Sequence, residues 1–201
     1  MGNGTDKIRE LQEVYRNTLK EASESAESWK KLMRHNGCVY KYDFVQQCLL
    51  YAQAPQGRAF ADFATWQRIG RRIKAGYRGI PLLSDNEMIY VWDMSNSTGP
   101  KKIGIWRMLR RHETVCREAV EEAYGLSLEK ENFLEALYGL VEYLAEDRDE
   151  NHSEFCTESA MLMIAERLDM EYDCDISVPK NAELLALADT GTLAAGIARE
   201  I

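Results

Sequence analysis

The chain has 201 residues, 45% of them hydrophobic and 29% charged, which fits one sizeable globular core, or one core with a small lobe, and excludes a low-complexity polypeptide. No apolar run approaches the roughly 20 residues that a membrane helix needs, and Met1 to Asp6 lack a signal peptide's apolar core, so a cytoplasmic protein without membrane contact is expected. The net charge of −8 hides a sharp asymmetry: residues 1–67 carry +1, residues 68–111 carry +7 and residues 112–201 carry −16.

The predicted elements, in chain order, are mostly helical. Residues 1–4 are expected to be disordered. From Thr5 to about Arg34, apolar residues recur at spacings of three and four, with Thr5 as N-cap and Gly37 as stop. The polar stretch Ser23 to Ser28 divides this region into two helices. Tyr42 to Gln53 is an amphipathic helix ended by Pro55. A short helix carries Phe63, Trp66 and Ile69 on one face and closes at Gly70. Ile80 to Leu83 and Met88 to Trp92 read as antiparallel strands across the polar turn Ser84 to Glu87. Ile105 and Trp106 lead into a helix that ends at Tyr124. A helix from Ser127 through Leu144 precedes a solvated link at Glu146 to Glu150. Ser153 caps a helix to Leu168, Asp169 to Val178 is acidic and irregular, and two short helices cover Asn181 to Ala188 and Thr192 to Ile201. The fold class is α+β, mostly helical, with a small antiparallel sheet at 70–94. The expected organisation is one domain over 1–201, comprising a helical part 5–55, a basic helix-hairpin part 60–111 and an acidic helical part 112–201. The last helix has no cap after it, which suggests that the sequence corresponds to one end of a longer polypeptide.

The most informative chemistry is cationic. Arg68, Arg71, Arg72, Lys74 and Arg78 fall within eleven positions, with no acid among them. Gly76 and Gly79 bracket Tyr77 and Arg78 in a turn. Arginines beside an aromatic at a glycine turn suit phosphate contact with base stacking. Lys101, Lys102, Arg107, Arg110 and Arg111 extend the basic region. Trp66, Tyr77, Tyr90, Trp92 and Trp106 are interleaved with these cations. The plain alternative is a solvated hairpin whose charges are balanced by the acidic half.

A catalytic centre is not legible. There is no Walker A loop, no GxGxxG after a strand, no HExxH and no GxSxG. Asp169, Glu171, Asp173 and Asp175 alternate like a weak calcium loop without the required glycine and terminal glutamate. Five cysteines lack CxxC spacing, so reduced thiols are expected rather than a disulfide framework or a zinc site. Neither a metal nor a cofactor is implied, and an enzyme, such as a nuclease with scattered carboxylates, is the minority reading.

Several segments together resemble a known pattern. They are Tyr40 to Phe44 with Gln47, Leu49 to Gln53 and Pro55; Trp66, Arg72, Gly76, Gly79 and Ile80; Val91 to Asp93 with Ser95 and Thr98; and Phe155, Glu158, Ser159 and Met161. Their order resembles the N-terminal region of very large proteins encoded by conjugative transposons, where it precedes helicase- and methyltransferase-like modules. The part from Phe63 to Thr98 is more distantly similar to the N-terminal domain of ArdC-type antirestriction proteins, which are associated with single-stranded DNA binding. Val91-Trp92-Asp93 departs from the family's usual Val-Phe-Asp, and no helicase or protease module follows, so no enzyme activity is inherited. The resemblance implies nucleic-acid contact at Trp66, Arg72, Gly76, Gly79 and their basic neighbours, with Gln47, Tyr51 and Gln53 as second choices. The expected function is a non-catalytic binding module of a mobile genetic element, for single-stranded DNA or else RNA, that protects element DNA from host defence. The alternative is an inhibitor of a host restriction or CRISPR effector nuclease acting through the acidic half.

Overall fold

The computed structural model describes residues 4–85, 87–100, 113–125, 127, 133–180 and 182–201. The described helices are α1 (Gly4–Ser23), α2 (Ala26–Cys38), α3 (Phe44–Gln53), α4 (Phe63–Arg68), α5 (Glu113–Tyr124), α6 (Phe133–Arg148), α7 (Glu154–Arg167) and α8 (Leu184–Glu200). The strands are β1 (Phe60–Ala61), β2 (Arg72–Ile73), β3 (Ile80–Ser84), β4 (Glu87–Asp93) and β5 (Ser97–Thr98). This is the expected α+β class, mostly helical, with the small sheet where the alternating apolar segments place it. No described helix is long and apolar enough to cross a membrane.

Local chemistry accounts for the helix boundaries. The Ser25 hydroxyl accepts the Ser28 amide at 3.1 Å and starts α2. Asp43 and Gln46 form a capping box at α3, each side chain accepting the other's backbone N–H. Asp62 accepts the Thr65 amide at 2.6 Å and starts α4. Four expectations are corrected. Thr5 lies inside α1 rather than capping it, since the helix already begins at Gly4. Gly37 does not stop α2: a Cβ there would strike the Met163 carbonyl, so the bare glycine is what lets α2 and α7 cross closely. The helix α6 runs to Arg148 through part of the expected link. The two expected C-terminal helices are one, α8, which runs unbroken through Gly191, where a Cβ would strike the Phe44 ring. The expected helix from Ile105 joins α5 only within 113–124; its earlier part lies outside the described residues.

The larger core joins α2, α6, α7 and α8 around Trp29, Leu32, Leu137, Met161 and Ala194. Trp29 Nε1 donates to Ser159 Oγ at 2.9 Å, and the Trp29 and Phe155 ring centroids lie 4.8 Å apart. A smaller core holds Leu11, Leu49, Leu50, Phe60, Leu82 and Val91 between α1, α3 and the sheet. Helix α3 serves both, giving Phe44 and Cys48 to the first and Leu49 and Leu50 to the second.

The main sheet has the order β1-β4-β3, all antiparallel, with Ile80 opposite Val91 and Phe60 opposite Asp93. Strands β2 and β5 form a separate pair, Arg72 opposite Thr98. Sequence patterning missed β1, a two-residue strand defined by its partner rather than by its own alternation.

Candidate nucleic-acid interface

The basic run divides into structural and exposed cations. Trp66 is fully buried, and its Nε1 donates to the Trp92 carbonyl at 2.8 Å. No face of the indole is left for a base, so its expected role as a contact is corrected to a packing role. Arg71 is also buried. Its Nε donates to Ser97 Oγ at 2.8 Å, Nη1 to the Pro100 carbonyl, and Nη2 to the Ser97 and Met94 carbonyls at 3.1 and 3.3 Å. The expected phosphate contact at Arg71 is therefore replaced by a clip that holds the 94–100 loop.

Arg68, Arg72, Lys74 and Arg78 are exposed, and no carboxylate among the described residues forms an ion pair with any of them. Lys74 Nζ donates to the Ser95 carbonyl at 2.6 Å and lies 5.8 Å from the Tyr77 ring centroid. Gly76, at φ 87°, supplies the turn that Tyr77 needs, with open space around it. Gly79 works differently: a Cβ there would strike the Trp92 ring and Tyr90 Cβ, so the glycine lets the 77–79 segment lie against β4. Lys101, Lys102, Arg107, Arg110 and Arg111, together with Trp106, lie outside the described residues.

Successive β4 side chains alternate between faces, so Met88, Tyr90 and Trp92 share one. With Tyr77, Arg78 and Lys7 they line a groove of about 610 Å³. Tyr77 is 51% exposed and Tyr90 40%, so two rings present open surface. Trp92 is half-buried, its Nε1 donating to the Tyr77 carbonyl at 3.4 Å. Phe63, also exposed, meets Trp92 edge-on with centroids 6.1 Å apart. Glu10 is the one carboxylate lining this groove. Lys7 was not legible as a site residue, because nothing local in α1 shows that it faces a strand some eighty positions away. Tyr77, Arg78 and Gly79 are thus brought together, Arg68 lines a neighbouring groove, and Arg72 and Lys74 line neither.

The second-choice amides have structural employment. Gln47 is buried and donates to the Tyr42 carbonyl at 2.9 Å. Gln53 Nε2 donates to the Leu49 and Pro81 carbonyls, both at 3.0 Å. Tyr51 packs edge-on against His35, centroids 5.3 Å apart. Burial first, and then the nearby Arg58 charge, lower His35 to about 4, while contacts with the Asn36 side chain and the Ala54 backbone oppose the shift.

Arg58 Nη1 approaches Cys38 Sγ at 2.6 Å, and the Cys38 thiol donates to Glu166 Oε1 at 3.4 Å. Burial pushes that thiol up to about 11 against the pull of Arg58, so it is protonated at neutral pH and is not a poised nucleophile. Asp173, in the alternating acidic stretch, is held by Lys30 at 2.7 Å and Arg34 at 3.6 Å. Among the described residues, no group of three or more His, Cys, Asp or Glu side chains is arranged to hold a metal ion. Comparison of the chain with protein-family models, with curated proteins and with solved structures finds no match.

Proposed function

We propose that the chain is a non-catalytic module that binds single-stranded nucleic acid, preferentially DNA, in the groove walled by Tyr77, Tyr90 and Trp92. The observation that carries this reading is the placing of three aromatic side chains beside Lys7 and Arg78 in one open groove. Each stacked base contributes about 1–3 kcal/mol, and cations that meet phosphates release counterions, so binding weakens with salt. Arg72 on β2 and Lys74 just after it, both exposed, suit a backbone that continues out of the groove. The resemblance to mobile-element and antirestriction proteins extends the reading to shielding an element's entering DNA.

The test is fluorescence anisotropy with a labelled oligothymidylate over a salt series. Binding at low salt that falls as salt rises, and that drops about tenfold in Tyr77→Ala, is the expected result. No binding at low salt, or wild-type affinity in a Tyr77→Ala, Arg78→Ala double variant, overturns it.

A second reading has its own support. Glu142, Glu146, Asp147, Asp149 and Glu150 are exposed around the end of α6, beside the exposed ring of Tyr143. Such a surface suits the basic groove of a defence nuclease. Inhibition of a host restriction or CRISPR effector that survives Tyr77→Ala but is lost on charge reversal of this face favours it over the first.

A further inference from the structure

Strand pairing fixes which backbone groups of β4 face which way. In an antiparallel ladder, alternate pairs exchange both N–H···O bonds. Tyr90 stands opposite Pro81, which has no N–H to give. The bonded pairs with β3 are therefore Ile80 with Val91 and Leu82 with Ile89. The N–H and C=O of Met88, Tyr90 and Trp92 point the other way, toward β1. Three contacts confirm the parity. The Met94 amide, next in that series, donates to the Ala59 carbonyl at 2.8 Å. The Pro81 and Leu83 carbonyls, turned away from β4, are taken by Gln53 at 3.0 Å and Gln46 at 2.8 Å.

The two edges of the sheet are thus treated differently. The outer edge of β3 is covered by side-chain amides from α3. On the β4 side, β1 ends at Ala61, and Asp62 turns the chain into α4. Trp92 is paired with Ala61, but Met88 and Tyr90 lie beyond the end of β1. Their outward N–H and C=O groups have no backbone partner among the described residues. Alongside runs a groove of about 410 Å³, floored by Ile69 and Ile89 and flanked by Lys41 and Arg68. Its one lining carboxylate, Asp62, is already engaged by the Thr65 amide.

We propose that this edge accepts an extended acidic segment of a partner protein as an added strand. The segment pairs with Met88 and Tyr90 in line with β1, sets an apolar side chain over Ile89, and places a carboxylate against Arg68. The backbone supplies affinity and the exposed Arg68 selects charge. This site does not depend on the nucleic-acid reading, because it uses the edge of β4 rather than the face that carries Trp92.

The test is amide-resolved hydrogen exchange on the full chain with an acetylated, amidated Glu-Val-Glu-Val-Glu-Val peptide. In the unliganded protein, the Met88 and Tyr90 amides exchange quickly while Ile89 and Val91 are protected. At millimolar peptide, Met88 and Tyr90 slow by about tenfold or more. A peptide N-methylated at every residue gives no such slowing, and Arg68→Glu abolishes it for the glutamate peptide while admitting the Lys-Val counterpart. No slowing with the glutamate peptide, equal slowing with its N-methylated form, or equal response to the lysine peptide in the wild-type chain overturns the proposal.

Discussion

The Arg71 guanidinium carbon lies 5.8 Å from the centroid of the buried Trp66 ring, and the same group donates to the carbonyls of Met94, Ser97 and Pro100. One cation thereby ties α4 to the loop that carries β5. Removing it leaves buried acceptors without a donor, which costs about 1–3 kcal/mol per group. Arg71→Ala is expected to lower the urea midpoint strongly, and Arg71→Lys nearly as much, because an ammonium cannot span these acceptors. Arg72→Ala, exposed and unpaired with any described carboxylate, leaves the midpoint unchanged. Paired denaturation curves check this.

Arg78 gives the complementary contrast. Its side chain is exposed in the aromatic groove, so Arg78→Ala is expected to leave stability within about 0.5 kcal/mol. The slope of log affinity against log salt is expected to become shallower by about 0.7 for a single-stranded oligonucleotide. Salt-series anisotropy measures the slope directly. An unchanged slope would place the phosphates elsewhere.

Gly37 predicts a packing failure. Its missing Cβ is what admits the Met163 backbone, and backbone cannot swing aside as a flexible side chain can. Gly37→Ala should cost about 1–3 kcal/mol from overpacking, although alanine is the better helix former by about 1 kcal/mol. Gly139, on the exposed-side register of α6 with open space around it, serves as the control: Gly139→Ala should stabilise. Thermal melts of the two variants should move in opposite directions.

His35 sets a pH dependence. Its folded value, about 4, lies below the ordinary 6.5, so the unfolded chain takes up the proton first as pH falls. The contribution is fully present above pH 6.5 and is lost progressively down to about pH 4. It amounts to about 3 kcal/mol at most. Urea midpoints at pH 7 and pH 4, in the wild-type chain and in His35→Gln, isolate this contribution: the variant should lose less stability between them.

Much of the helical framework was legible because it is written locally. Apolar residues at spacings of three and four mark the helices, and the β3–β4 hairpin shows in its apolar runs around a polar turn. The caps are less legible, since Ser153 stands at the N-cap of α7 without a side-chain cap bond while Ser25, Asp43 and Asp62, not singled out in the sequence, make theirs. The failures have a common cause. Gly37 looks like a helix stop until the opposing Met163 backbone is in place, and the break expected between Ala188 and Thr192 is absent where Gly191 packs against the Phe44 ring. Arg71 and Arg72 are indistinguishable as letters, and only the return of the 94–100 loop makes one a buried clip and leaves the other exposed. Tyr77, Tyr90 and Arg78 were recognisable as an aromatic and cationic mixture, but Lys7 joins them only through the packing of α1.

Helix α3 is the shared wall of two cores of unequal size. The one beneath the sheet contains only seven buried residues among those described. The chain should therefore come apart in stages, the strands loosening while the helical body still holds. Whatever occupies the aromatic groove grips the weaker part. Its presence should register first as slower cleavage by proteases within 60–100, before any shift in the cooperative melting of the helices.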